Sequence, residues 1–501
     1  MIRHPLLWLV VTLAVSGCAE DLGEFASARP EMGVEGADAN LQRPDVNFAD
    51  AQVFDQADLG VDDPDAFEDP IERPDAAPFD PADAMAPMAD MDRPRPDMDL
   101  PPPPAEGTIL YPSDRTLSPL TANLVQGLRA IVDDGPDRDP QVFAKVGASA
   151  TVSVHNMQCF AGDRIDLDGR DHLQSTIDHF RAGDAAGSDP YTRESLTATV
   201  GWSARSAVAG DPSPVEREIE AISPRFALIM YGTNDIQGRN PFRYADSMLT
   251  LADILIDEGV IPVLTTIMPR DDDASADALV PQYNAIVRAV AQGRGVPLAD
   301  FHRELLPIPG HGLAGDDLHP NVFRDGGARA CHFTPEALEH GYNIRNLLMI
   351  ETLDRVRRTV FEGEAAPDRE APRLRGDGTH DDPFVVTTLP FTHLSDTTEG
   401  ARRIDRYTGC NANQDESGPE QVYRLDLARE TTIKVMVFDR DDIDVDLHLL
   451  DDTGEAAGCL QRDHQEMEAS LAPGSWFLVV DSFVSGGEEQ SGEYMLTILE
   501  E

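Results

Sequence analysis

Positive charge is what this chain has least of. Lys and Arg together number 40 against 91 Asp and Glu, a formal net charge of −51 over 501 residues. A surface this anionic repels phosphate backbones and anionic headgroups, which argues against nucleic acid as a partner and against charge-driven binding to membranes. Cysteine is scarce as well: five residues, with no Cys-x-x-Cys or other metal-type Cys/His spacing. The apolar run near the start, Leu6 to Val15, is too short to persist as a membrane-spanning helix. Gly-x-Ser-x-Gly, the sharp elbow that seats many nucleophilic serines, is absent.

The short apolar run is instead read as a processing signal. Arg3 and His4 precede it, and it ends in Val15-Ser16-Gly17-Cys18, which resembles the bacterial lipobox. That resemblance implies cleavage before Cys18 and acylation of its thiol. The chain would then be held to a lipid bilayer in the bacterial cell envelope, outside the cytoplasm, at the outer membrane or cell surface. The alternative is an ordinary signal peptide with an incidental cysteine. Residues 19–106 hold 24 Asp and Glu against five Arg. With repeated Arg-Pro-Asp steps and the Pro101–Pro104 run, that balance gives an extended, disordered acidic spacer. Four cysteines remain, Cys159, Cys331, Cys410 and Cys459, an even number that suits two disulfides in an oxidising compartment. Three pairings are open, and Cys159–Cys331 with Cys410–Cys459 is favoured because each then stays within one proposed domain.

The rest divides by pattern. Residues 107–363 alternate buried strands (Gln141–Gly147, Arg225–Tyr231, Val260–Ile267, Val296–Phe301) with helical stripes (Pro214–Ile222, Pro241–Glu258, Ala278–Gln292, Pro335–Phe361). Such alternation predicts an α/β domain, a parallel sheet with helices on both faces. A linker at 364–378 leads to 379–501, where short β-type runs separated by turn residues predict a small antiparallel all-β sandwich.

Two polar segments in the α/β region carry chemistry. The apolar strand ending at Tyr231 runs into Gly232-Thr233-Asn234-Asp235, where open α/β sheets place their ligands. Asp316-Asp317-Leu318-His319-Pro320 supplies a base and, one turn back, a carboxylate able to orient it. Ser149 follows the first strand directly, so its hydroxyl sits at the same sheet edge as a candidate nucleophile. The Asn234 amide and the backbone amides of Ser149 and Gly201 are candidate oxyanion donors. Asp235 is read as a cap for the segment that follows it.

These blocks resemble those of the SGNH (GDSL) hydrolases. Gly232–Asp235 and Asp316-x-x-His319-Pro320 match the third and fifth blocks, Val146–Ser149 the first, and Thr199–Ser203 the glycine-bearing second. The resemblance implies a flavodoxin-like αβα fold and a metal-free serine esterase cleaving an ester of a carbohydrate or lipid. Ser149 would be the nucleophile, His319 the base, Asp316 its orienter, and Gly201 and Asn234 the oxyanion hole. The usual Gly-Asp-Ser is here Gly147-Ala148-Ser149, which leaves a second reading: a non-catalytic surface binding or adhesion protein on the same scaffold. From about 410 the pattern resembles the bacterial pre-peptidase C-terminal domain. No cofactor is expected, apart from the chance that Asp439, Asp441, Asp442, Asp444 and Asp446 gather a structural Ca²⁺; the other reading of these residues is a solvated acidic loop.

Overall fold

The computed structural model describes residues 107–501 apart from Asn413 and Asp441. The signal, Cys18 and the 19–106 spacer therefore lie outside the described residues.

The central domain is built on a parallel sheet of β1 (Asp139–Gly147), β2 (Pro224–Met230), β3 (Ile261–Thr265) and β4 (Leu298–Ala299), hydrogen-bonded in that order. Every residue of β2 and β3 is buried, although successive side chains point to opposite faces, so both faces are covered. Phe143 faces Phe226 across the first pair, and Phe226 faces Ile261 across the next.

A further segment belongs to this sheet without being a full strand. Ala198 makes a parallel bridge to Gly147 on the free side of β1, with Gly147 N donating to Thr197 O (3.1 Å) and Thr199 N to Gly147 O (3.2 Å). Counted in chain order, the sheet then reads 2-1-3-4-5, the flavodoxin-like order, whose switch point lies between β1 and β2. The fold class expected from the sequence is the one observed.

Among the described residues, six α-helices of eight or more residues surround the sheet: α1 (Ala122–Asp134), α2 (Gln174–Arg181), α3 (Pro214–Ile222), α4 (Pro241–Asp257), α5 (Val280–Gly293) and α6 (Gly341–Val356). The start of α3 is written in its sequence. Pro214 sits in the first turn, where no amide is needed, and Ser213 and Glu216 form a reciprocal capping box. Helices α1 and α2 went unread in the sequence.

One expectation fails at the last helix. The Pro335–Phe361 pattern predicts a single helix, but the chain makes a short 3-10 turn at Ala337–Glu339 and is extended at His340 before α6 begins. The cause is a close approach. A Cβ on Gly341 would lie 2.5 Å from Gly312 O and 2.8 Å from the Pro320 Cβ, and Gly341 N donates to Asn321 Oδ1 at 2.9 Å. The loop that carries His319 supplies the helix start from outside. The fourth strand is also shorter than the Val296–Phe301 run.

The C-terminal region is a sandwich of two sheets. One orders β10 (Cys459–Asp463), β9 (Val445–Leu450), β12 (Gly474–Ser482), β7 (Glu420–Leu427) and β5 (Phe384–Val386); the other orders β11 (Glu466–Leu471), β8 (Thr431–Phe438), β13 (Glu493–Glu500) and β6 (Phe391–Asp396). All pairs are antiparallel except β5 with β7. Inward residues such as Leu447, Leu449, Leu478 and Val480 meet Ile433, Val435 and Leu496 in its core. Disulfides join Cys159 to Cys331 and Cys410 to Cys459, the pairing favoured from the sequence.

Candidate active site

The switch point places the predicted residues together. Strand β1 ends at Gly147, and Ser149 opens a four-residue helical turn, Ser149–Val152. Gly147 is required there: a Cβ would lie 2.2 Å from Thr151 Oγ1 and 2.7 Å from Met230 O. Ser149 Oγ lies 2.7 Å from His319 Nε2, and His319 Nδ1 lies 2.6 Å from Asp316 Oδ2. The other Asp316 oxygen accepts from the backbone amides of His319 (3.0 Å) and Leu318 (3.2 Å). Partial burial works against ionisation of Asp316, but these amides and the imidazole outweigh it and hold its carboxyl below the usual range. A carboxylate cannot donate, so Nδ1 carries the imidazole proton and Nε2 is free to accept from Ser149 Oγ.

Two further loops meet at the same edge. Gly201 adopts φ +79° in the turn closed by Trp202 N donating to Thr199 O (3.2 Å), just past the Gly147–Ala198 bridge. The Asn234 amide donates to Trp202 O at 2.9 Å, which ties the Gly232–Asp235 loop to the Gly201 loop. Gly232 has φ +127°, and a Cβ there would crowd Ile267 and Tyr244 at 3.0 Å, so no side chain fits.

Asp235 corrects the sequence reading. It does not cap the turn that follows it. Its carboxylate turns back to accept from Gly232 N (3.1 Å) and across to Ala204 N (3.0 and 3.2 Å), which clamps the two loops together. Burial raises its pKa to about 6, against the pull of those amides.

Several supporting residues were missed. Arg345, on α6 and 3% exposed, lies beneath the Ser149 turn and donates to Ala150 O (2.7 Å) and Thr151 Oγ1 (2.9 Å). Burial pulls its pKa down to about 10. Ala148 is buried as well. The Ser149 turn is thus braced from below by a guanidinium. Arg270 donates to Thr233 O at 2.8 Å and is itself held by Asp272. Tyr231 reaches from the end of β2 to donate to Thr197 O at 2.7 Å. No motif flags any of the three; each acts through a tertiary contact.

Around these groups the surface is mixed. Val152, Val154 and Val200 flank Ser149 and Gly201 in sequence and are exposed. A cavity of about 210 Å³ adjoins Asn234, lined also by Ser203, Arg205, Arg243 and Tyr244. His311, in the loop leading to Asp316, pairs with Asp271 at 2.8 Å.

A parallel α/β sheet with a Ser–His–Asp hydrogen-bond chain at its switch point defines the architecture of a hydrolase domain. Residues 175–323 match the family model described as the GDSL-like Lipase/Acylhydrolase family. The matched stretch contains Gly201, Asn234, Asp316 and His319 and begins after Ser149. Among solved structures, the chain is similar to a GDSL-like lipase from Bacteroides thetaiotaomicron (15% identity, 46% of this chain and 98% of that one, TM-score 0.27). It is also similar to a catalytic mutant of an acetylxylan esterase from Geobacillus stearothermophilus (13% identity, 44% and 95%, TM-score 0.29). A third similarity is to the pre-peptidase C-terminal domain of a Bacillus anthracis collagenase (16% identity, 22% and 89%, TM-score 0.15). No curated protein matches the chain.

Proposed function

We propose that the protein is an exported, lipid-anchored serine esterase that cleaves an ester of a carbohydrate or lipid. The observation that carries this reading is the unbroken chain from Ser149 Oγ through His319 to Asp316, with both contacts at hydrogen-bond length. In the first step Ser149 Oγ bonds to the carbonyl carbon and its proton passes to His319 Nε2, while Asp316 stabilises the imidazolium. The backbone amides of Ser149 and Gly201 and the Asn234 side chain receive the negative charge on the carbonyl oxygen. His319 returns the proton to the departing alcohol. Water then attacks the acyl-serine with the same base, releasing the acid and restoring Ser149. No metal enters these steps.

The exposed valines beside Ser149 and Gly201 suit an apolar part of the substrate, and the polar cavity at Asn234 suits a hydroxyl-bearing or anionic part. Anchoring through acylated Cys18 rests on the lipobox-like sequence, and two disulfides fit an oxidising compartment. A structural Ca²⁺ at the Asp439–Asp446 loop has less to draw on. Asp439 accepts from Val445 N and Gln465, and Asp446 from Arg462 and His464, so these oxygens already have donors.

The test is hydrolysis across a panel of short-chain esters, acetylated glycans and lysophospholipids, comparing wild type with Ser149→Ala. Loss of about 10³-fold or more in kcat/KM, together with fluorophosphonate labelling of Ser149, is the expected result. A folded wild type that is as inert as the variant, and unlabelled, would favour the non-catalytic binding reading that Ala148 motivates.

A further inference from the structure

The sandwich has a second, smaller apolar cluster on the outer face of its five-stranded sheet, away from its core. Antiparallel pairing sets Val479 opposite His448 and Asp481 opposite Asp446, so alternation puts Asp446, His448, Leu450, Val479 and Asp481 on one face. The described residues of segment 401–419 cross that face as a strap. Ile404 and Tyr407 pack down on Val422, Leu450 and Val479, and the Cys410–Cys459 disulfide pins one point of it.

Beneath the strap, Glu416, His448 and Asp481 converge. All three are fully buried, and their donor atoms lie within 4.8 Å of one another. Their hydrogen bonding is incomplete: both Glu416 oxygens, both His448 ring nitrogens and Asp481 Oδ1 lack a partner at hydrogen-bond geometry, although Asp446 lies beside Glu416 and Glu420 beside Asp481. The neighbouring acids are satisfied by contrast. Glu420 takes His380 (2.9 Å) and the amides of Arg403 (2.9 Å) and Ile404 (3.2 Å), and Asp446 takes Arg462 and His464. Asp481 uses only its other oxygen, which accepts from Tyr407 OH at 2.6 Å, while the Tyr407 ring stacks on His448 with centroids 3.5 Å apart. Burying a carboxylate that makes too few hydrogen bonds costs several kcal/mol, and two beside an imidazole at 3.6 Å leave room for a cation among the polar contacts.

We propose that Glu416, His448 and Asp481 form a binding site for a divalent zinc-type cation that fastens the 401–419 strap to the sheet. The donor set selects the metal. One imidazole nitrogen with two carboxylates suits zinc, whereas calcium takes six to eight oxygens. His448 Nε2 and Glu416 Oε1 stand 3.6 Å apart, close to the edge of about 3.4 Å expected in a tetrahedron with bonds of about 2.1 Å. Cys410 and Cys459 also approach His448 but are bonded to each other and do not ligate. Without the ion, burial raises the pKa of Glu416, and burial with the Glu420 charge raises that of Asp481 further. Burial pushes His448 down to about 3.

The experiment uses the full-length chain, stripped with a chelator, dialysed and titrated with Zn²⁺. The expected result is one tightly held zinc per chain by elemental mass spectrometry and a rise in Tm on loading. Glu416→Gln and His448→Gln should each reduce the retained zinc at least tenfold. Stripped wild type that neither retains zinc nor gains Tm overturns the proposal, and this arm needs no variant to fold. Equal zinc retention by folded Glu416→Gln, or stabilisation by Ca²⁺ in preference to Zn²⁺, also overturns it.

Discussion

At the scale of single residues, Asp235 shows how a carboxylate can serve the candidate site without touching substrate. It joins the Gly232 loop to Ala204 through three hydrogen bonds, and burial lifts its pKa to about 6. Because the folded value lies above the unfolded one, the folded state holds the proton more tightly. The resulting stability is full below about pH 4, declines as pH rises towards 6, and is constant above that. Asp235→Asn removes this titration while keeping one oxygen for an amide. Thermal unfolding from pH 4 to 7 should show wild type losing about 1–3 kcal/mol relative to the variant across that window. Parallel curves for the two proteins would sink the assignment. Legibility at this scale was uneven. Ser149, Asn234, Asp316 and His319 could be singled out as candidates because the chemistry expected of them restricts residue type and spacing, and the fold does bring Ser149, His319 and Asp316 together. Arg345 could not: α6 is buried almost all round, including Asn343, Arg345 and Asn346, so no polar face marks one side chain as special. Its role depends on Ala150 and Thr151, 195 and 194 residues away in the chain.

At the scale of elements, strands and their following loops were readable wherever both faces are buried, since an unbroken apolar run has few other uses. The edge segment Thr197–Thr199 was not, because a single bridge leaves no run to detect. The break before α6 was hidden for a related reason: the apolar spacing continues through it, and only contact with another loop makes the chain extend at His340. That break matters to the site. Gly341 abuts Gly312 and Pro320 on either side of the His319 loop, and Asn321 caps the helix from that loop. Gly341→Ala should push the loop outwards and lengthen the His319–Ser149 contact. A displacement near 1 Å is enough to lower kcat about 10- to 100-fold. Ala is also the better helix former, so a loss of kcat at nearly unchanged KM and Tm would locate the effect in the loop. Unchanged kcat in a folded Gly341→Ala protein would show that the contact does not position His319.

At the scale of the described molecule, the two domains predicted as separate runs share structure. Met436, Phe438 and Met495 of the sandwich belong to the same continuous apolar cluster as the central sheet, and Phe242 on α4 packs on Phe438 at 5.1 Å. Helix α5 is the common wall. Gln292 accepts from Tyr111 N (2.8 Å) and donates to Thr392 O (2.7 Å), and a Cβ on Gly293 would stand 2.4 Å from the Leu394 side chain. Next to it, Arg294 binds Asp253 and Glu493, both at 2.6 Å, and Asp253 also takes Arg440 at 2.9 Å. Each ion pair alone is worth little at a surface, but here they rim an apolar contact with no room for side-chain growth. Neither part can therefore unfold without exposing core of the other. Calorimetry of the 107–501 fragment should give one cooperative transition whose van't Hoff and calorimetric enthalpies agree. Gly293→Leu, which forces the wall and Leu394 apart, should lower the Tm and split the transition in two. Two resolved peaks in the wild type would show that the sandwich is merely appended to the hydrolase domain and does not complete its core.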